Sequence, residues 1–389
     1  MHRYPSVGRV LVLTILILLL PLAGYGESPE AIRIGATVSL SGNFSEPSAM
    51  IRDGYRLWEK QVNQHGGLMG RPVELVVYDD RSDPETAYNL YQRLIHQDRV
   101  DLVLSPYGTP LTLQASQVSE ASQMVMLACA ASGHAIWNRG YRYVFGMYAL
   151  ADRYFIGMLD LMARQGHDTV SIIYEDSPFN IDVANGAEKW ARRFGVAVAL
   201  KESFAPGQGQ LRGLLQDAIE KNAAGLILSA YPPEGYRMLE LMQAAGWRPR
   251  AIGMTIAPIH PDFYLTAGPI AEGIFGPSQW EPDERIPFPG TTKFIRDFQA
   301  AYHKLPSYHA GSAYAGCQIL ERAITELNEI NQDRIRDYIS SLDTVTVIGR
   351  FKVDHQGRQV GHNPILVQWQ DGKKEIVYPT KMQTAHPRF

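Results

Sequence analysis

Cysteine is nearly missing: the 389 residues contain two, Cys129 and Cys317. That excludes a disulfide-dense scaffold and a four-cysteine zinc site. Far apart in sequence, the two leave two readings open, a pair formed in an oxidising compartment or two buried free thiols. A surplus of charge of one sign is also absent. Lys+Arg 37 against Asp+Glu 40 gives a net charge of -3. No basic run stands out, which argues against a nucleic-acid partner. The 11 histidines are scattered, with no H-E-x-x-H and no Cys/His set at ligand spacing, so no metal is expected. His303 and His309, separated by Leu305-Pro306, read as surface residues. There is no G-x-S-x-G and no P-loop, hence no recognisable nucleophile–base pair and no nucleotide cradle. The chain reads as a non-enzyme without a cofactor. The acid run Asp79-Asp80-Arg81-Ser82-Asp83 reads as a strand end plus a helix cap, not a cation site.

Long apolar runs are missing as well, with one exception at the start. Residues 1–10 carry Arg3 and Arg9 and no acid, residues 10–20 are almost unbroken apolar, and Pro21 and Gly24-Tyr25-Gly26 follow. A basic start, a short apolar core and a small-residue exit describe a signal peptide over residues 1–26, cleaved near Gly26. The core is shorter than the ~20 residues that span a bilayer. No cysteine lies near the exit, so a lipoprotein is not expected. The expected location is the periplasm.

What remains is 45% hydrophobic and 20% charged overall, an ordinary globular balance. Residues 31–40 (AIRIGATVSL) and 73–78 (VELVVY) read as buried strands, with a helix of apolar spacing over 50–65 between them and the stop Gly66-Gly67. Further strands are expected at 100–104 and 124–127. After Leu150 the pattern restarts, with strands at 169–174, 196–202, 225–229 and 251–255 and helices at 153–165, 185–194, 209–221 and 235–245. Two helices (292–304, 311–328) and two late strands (351–353 and 366–369, joined by the turn His355-Gln356-Gly357) complete the chain. Alternating strand and helix implies an α/β protein of two doubly wound parallel-sheet lobes.

In such sheets ligands bind at strand C-termini. Tyr107-Gly108-Thr109 follows the third strand and Ala130-Ala131-Ser132-Gly133 the fourth. Each turn brings hydroxyls and backbone N–H groups to an expected helix start, an arrangement suited to a carboxylate.

Several stretches resemble the leucine/isoleucine/valine-binding protein family, the type I periplasmic solute-binding proteins of ABC transporters. Ile34-Gly35 through Leu40-Ser41-Gly42 is similar to the family's opening strand and turn. Residues 63–80 (NQHGGLMGRPVELVVYDD) are the most specific match. Asp83-Pro84, residues 140–145 (GYRYVF), Pro233-Glu234, Ala271-Glu272-Gly273 and Val347-Ile348-Gly349 with Phe351 extend it along the chain.

The resemblance implies two lobes joined by three hinge crossings, closing on a small ligand. Lobe one would take residues 31–148 with 278–345 returning to it. Lobe two would take 149–277 with 346–380 returning to it, and 381–389 would be a tail. It implies delivery to an ABC permease by a monomer, or, alternatively, sensing on behalf of a membrane kinase or chemoreceptor.

The family's carboxylate anchor carries over to Thr109, Ala130 and Ser132, and its lobe-two aromatics to Phe179 and Tyr231. Its first-turn aromatic falls near Pro47. The acid that holds an amino acid's ammonium falls on Thr255, and a second acid falls on Ala151, next to Asp152. Glu175, Asp176 and Glu46 are the substitutes on offer. The expected ligand is a small carboxylate or an amide-like solute, with an aromatic compound or an α-amino acid both open.

Overall fold

The computed structural model describes residues 1–2, 30–207, 209–286 and 288–389. The leader, apart from its first two residues, lies outside them. Among the described residues no helix is long and apolar enough to cross a membrane.

The first sheet has five parallel strands, β1 (Ile32–Val38), β2 (Val73–Asp79), β3 (Leu102–Leu104), β4 (Met126–Ala128) and β5 (Val144–Gly146), in the order β2-β1-β3-β4-β5. Between them run α1 (Ser45–Gln64), α2 (Pro84–His96), α3 (Thr109–Ala121) and the short α4 (His134–Trp137). Helices on both faces are why β1, β3 and β4 are buried along almost their whole length. Asp80 is fully buried and accepts from Thr37, Ser39 and the Ser82 N–H, while Asp83 accepts from Thr86 N at 2.7 Å and caps α2. The acid run is therefore structural. No group of three metal-ligating side chains occurs among the described residues.

The second sheet contains β6 (Thr169–Glu175), β7 (Ala197–Phe204), β8 (Gly225–Ser229), β9 (Ala251–Met254) and β10 (Ile274–Ser278), all parallel. Helices α5 (Ile156–Arg164), α6 (Pro178–Phe194), α7 (Leu211–Lys221), α8 (Pro232–Ala245) and the short α9 (Phe263–Ala267) alternate with them. The chain then returns to the first lobe through α10 (Thr291–Tyr302), α11 (Tyr308–Leu327), α12 (Gln332–Ser341) and the hairpin β11 (Asp343–Thr346) and β12 (Gly349–Lys352). Helix α11 lies along α1 so closely that a Cβ on Gly54 would stand 2.4 Å from the Ala310 carbonyl oxygen. Finally β13 (Ile365–Gln370) and β14 (Lys373–Tyr378) join the second sheet, whose order is β14-β13-β10-β9-β8-β6-β7.

Four details depart from the sequence reading. The second sheet is mixed, because β13 runs antiparallel to β10 and to β14. The two late strands do not pair with each other: Phe351 lies in β12 against β11, whereas 366–369 lie in β13. The return to the second lobe falls later than residue 346, since β12 pairs within its hairpin and Gly357 O accepts from Gly146 N of β5 at 2.8 Å. Helix α6 begins at Pro178, seven residues before 185, with proline in its first turn where the missing N–H costs nothing.

The three crossings meet around one side chain. Gln279 Oε1 accepts from Ala149 N at 2.9 Å, Gln279 Nε2 donates to Tyr154 OH at 3.1 Å, and His362 Nε2 lies 3.3 Å from Gln279 Oε1. The tail is fastened to the second lobe: Gln368 Nε2 donates to Arg388 O at 2.6 Å, and the Phe389 ring lies 5.5 Å from that of Phe275. Cys129 and Cys317 are both buried and free, which settles the open pairing.

Candidate functional site

The parallel strands β1–β5 and β6–β10 point their C-terminal ends at one interlobe cleft. On the first lobe, the turn after β3 carries Tyr107 and Gly108, and Gly108 takes a φ of 83° that favours glycine. Its N–H donates to Ala130 O at 2.9 Å, which ties the turn after β3 to the turn after β4. Thr109 opens α3, and its Oγ1 accepts from Gly133 N at 3.1 Å. A Cβ on Gly133 would stand 2.5 Å from Thr109 Cγ2, so only glycine allows this approach. Thr109, Ala130, Ala131 and Ser132 are thereby gathered on one wall of the cleft, all buried. The N–H groups of Ala130, Ala131 and Ser132 have no acceptor among the described residues. Three unengaged backbone donors beside two hydroxyls have the chemistry to receive an anion.

The second lobe faces it with rings. Phe179 sits in the first turn of α6, and Tyr231 is the residue before α8. Both helices, like α3, open with proline in their first two positions. Phe179 and Tyr231 have centroids 5.9 Å apart, and Tyr154 lies 5.5 Å from Phe179. Phe44 of the first lobe reaches across to Tyr231 at 4.5 Å. Phe44 lies three residues before Pro47, where the resemblance put the family's first-turn aromatic, and it packs on Tyr231 outside the lining of the cleft.

Tyr148, Tyr154, Tyr308 and Ile256 complete the lining. Sequence reasoning missed all four. The first two flank the first crossing and Tyr308 opens α11, elements that reach the cleft only once the lobes are assembled. His309 is buried, not a surface residue: it stacks on Tyr308 with centroids 4.0 Å apart, and burial holds its pKa well below the ordinary range.

The lining leaves a cavity of about 10 Å³, close to the least that admits one water. In this lining the hydroxyls of Tyr148 and Tyr231 are buried without a hydrogen-bond partner among the described residues, as is Nε2 of His309 beside Tyr107. Nearby, Ser312 donates to the Cys129 carbonyl and Ser177 accepts from Asn180 Nδ2 at 2.9 Å. Ser132 Oγ is 3.0 Å from Tyr154 OH.

The expected ammonium partners lie apart from the lining. Thr255 is buried with its hydroxyl donating to Ala230 O at 2.8 Å and accepting from Ala230 N at 2.9 Å, so it pins the loop after β8, and Ile256 takes the place on the cleft. Glu175 ends β6 behind Tyr231, and its Oε2 accepts from Tyr231 N at 3.2 Å. Burial pushes its pKa up to about 7. Asp176 is exposed. Asp152, at the first crossing, lies 3.3 Å from His134 Nε2.

Glu46 stands at the cleft rim in the first turn of α1, 3.5 Å from Tyr236 OH and 3.7 Å from His260 Nδ1 of the second lobe. Burial raises Glu46 to about 7 and lowers His260 to about 4, so between those values the two meet as neutral groups and not as an ion pair.

This geometry has known counterparts. The family model described as periplasmic binding protein matches residues 31–374. A Leu/Ile/Val-binding protein homolog of Brucella abortus is 26% identical over 378 residues, covering 92% of this chain and 93% of its own. The branched-chain amino acid substrate-binding protein of Streptococcus pneumoniae, solved with isoleucine, superposes with a TM-score of 0.82 at 18% identity, covering 90% of this chain and 100% of its own. A solute-binding protein of Rhodopseudomonas palustris, solved with benzoate, gives 0.79 at 17% identity, covering 92% and 97%. Two lobes, a cleft at the strand ends and a match along the chain from the first strand to the last agree: this chain belongs to the periplasmic binding protein family, whose members bind solutes and do not transform them.

Proposed function

We propose that this chain is an exported receptor that captures a small carboxylate between its lobes and delivers it to an ABC permease, and that the ligand needs no ammonium group. The supporting observation is the composition of the cleft. Its first-lobe wall presents backbone donors and the Thr109 and Ser132 hydroxyls, its other walls are aromatic, and no carboxylate side chain lines it among the described residues. A desolvated ammonium with no carboxylate partner is costly by several kcal/mol. An aromatic or branched carboxylate, or an amide-like solute, meets rings and the unengaged Tyr148 and Tyr231 hydroxyls instead. The Rhodopseudomonas relative solved with benzoate supports the same chemistry on this fold.

Capture proceeds by closure. The carboxylate docks on Thr109, Ala130 and Ser132 first, the rings of Phe179 and Tyr231 then cover it, and ligand shifts the population toward the closed form. With about 10 Å³ between the closed walls, the lobes or the rings move apart to admit it. The moving units divide at residues 149–153, 279–281 and 361–364. An N-terminal leader ending near Gly26 accounts for export.

One observation favours a second reading. Glu175 lies directly behind Tyr231 and titrates at about 7, so an α-amino acid that drew it forward would find an anion. Native mass spectrometry of the purified protein, followed by a thermal-shift comparison of leucine, isoleucine and valine with 4-methylpentanoate, benzoate and benzamide, separates the two. Stabilisation by the ammonium-free compounds is expected. Stabilisation by the amino acids alone would reverse the assignment.

A further inference from the structure

Behind the three crossings, on the side away from the cleft, the lobes leave a second hollow of about 610 Å³. Small-molecule sites commonly occupy ~300–1,000 Å³, a range this hollow meets and the frontal cavity, at about 10 Å³, does not. All three crossings line it, together with residues of both lobes.

Its walls are rings: Trp190 and Tyr378 from the second lobe, Trp280 from the second crossing and Phe288 from the first lobe. Its charges are unbalanced. Arg153 and Lys381 line it and are exposed, and Lys381 forms no ion pair among the described residues. The acid in the lining, Glu281, is buried and neutralised by Lys374 at 2.7 Å. Flat apolar walls with uncompensated cations at the rim suit a planar aromatic anion.

The hollow also touches the front of the molecule. His362, in its lining, lies 3.3 Å from Gln279 Oε1, Gln279 Nε2 donates to Tyr154 OH at 3.1 Å, and Tyr154 OH is 3.0 Å from the Ser132 hydroxyl in the cleft. Because the crossings form the hinge, a rotation that opens the front brings the rear walls together. An occupant of the rear is therefore compatible with the closed lobes and opposes opening.

We propose that this rear hollow is a second binding site, for a planar aromatic anion, and that its occupant holds the lobes closed. Closure and rear binding are then linked, each favouring the other by the same factor. The site does not depend on which solute the front takes.

The test is calorimetric titration of the full chain with naphthalene-2-sulfonate, in the absence of other ligands. Saturable binding of one probe per chain is expected. Met382→Trp, which fills the hollow from a half-buried position, should abolish it, and Lys381→Glu, at an exposed position, should weaken it at least fivefold. Thr109→Ala, at a front residue outside the chain of contacts that ends on Ser132, should leave it unchanged. No saturable binding, binding indifferent to both rear variants, or loss in the Thr109→Ala variant would each overturn the site. X-ray scattering reads the coupling: the radius of gyration should fall on saturation with the probe, and an unchanged or larger value would overturn that part.

Discussion

The Glu175 carboxylate accepts the backbone N–H of Tyr231 at 3.2 Å, so the end of β6 holds the residue that opens α8 and closes the cleft. Burial raises the Glu175 pKa from 4.5 to about 7. A carboxyl whose pKa is higher in the folded chain than in the unfolded one keeps its proton more tightly when folded. Its contribution to stability is full below about 4.5 and is lost as pH rises through about 7. The unfolding midpoint in urea should therefore fall as pH rises from about 4.5 to about 7, and Glu175→Gln, which cannot ionise, should flatten that profile. An unchanged profile in the variant would assign the pH dependence to other groups.

Removing both hydroxyls of the anchor, Thr109→Ala with Ser132→Ala, should weaken carboxylate binding by about 3–6 kcal/mol, since hydrogen bonds to a charged group contribute roughly 1.5–3 kcal/mol each, while the backbone donors keep some affinity. Thr109→Ser keeps an oxygen for Gly133 N and should retain most of the affinity. Unchanged binding in the double variant would place the anchor elsewhere.

Phe44 is the ring that crosses from one lobe to the other, 4.5 Å from Tyr231. Phe44→Ala removes an aromatic pair and a buried ring, a loss of about 3–5 kcal/mol at a fully buried site. Here part of that loss falls on closure and not on folding. The expected result is a larger radius of gyration in X-ray scattering with a melting temperature that changes little. A large drop in melting temperature with unchanged dimensions would assign the ring to the core of one lobe.

Gly54 lies inside α1, where alanine ordinarily gains about 1 kcal/mol. A Cβ there would stand 2.4 Å from Ala310 O and 3.0 Å from the Ala313 Cβ. Separating α1 from α11 costs typically 1–3 kcal/mol, so overpacking wins. Gly54→Ala should lower the unfolding midpoint in urea, whereas the same change at Gly213, which meets nothing within 4 Å, should not.

The parts of this molecule that the sequence made readable are those decided locally. Strands β1, β2 and β8 are near-continuous apolar runs, and Thr109, Ala130 and Ser132 follow strands directly. What stayed hidden depends on assembly. Apolar alternation in β13 carries no sign of its antiparallel direction, and β5 has only three residues. Tyr148, Tyr154 and Tyr308 are ordinary aromatics until the crossings and α11 bring them together. His309 follows Leu305-Pro306 closely and so read as loop, yet α11 begins at Tyr308 and carries it inward. Thr255 was placed by position alone, and a hydroxyl at a strand end serves the neighbouring backbone equally well.

One contact at the margin of the first sheet reaches beyond ligand capture. Strand β5 is the last in its row, and an open edge offers unpaired backbone groups to any other chain. Here the carbonyl of Gly357 accepts from Gly146 N, and it lies so close that a Cβ on Gly357 would stand 2.2 Å from Val144 O. The segment returning toward the third crossing thus covers the edge before a neighbour can add to it. At high protein concentration, resistance to edge-to-edge aggregation follows from the path by which the chain goes back to its second lobe.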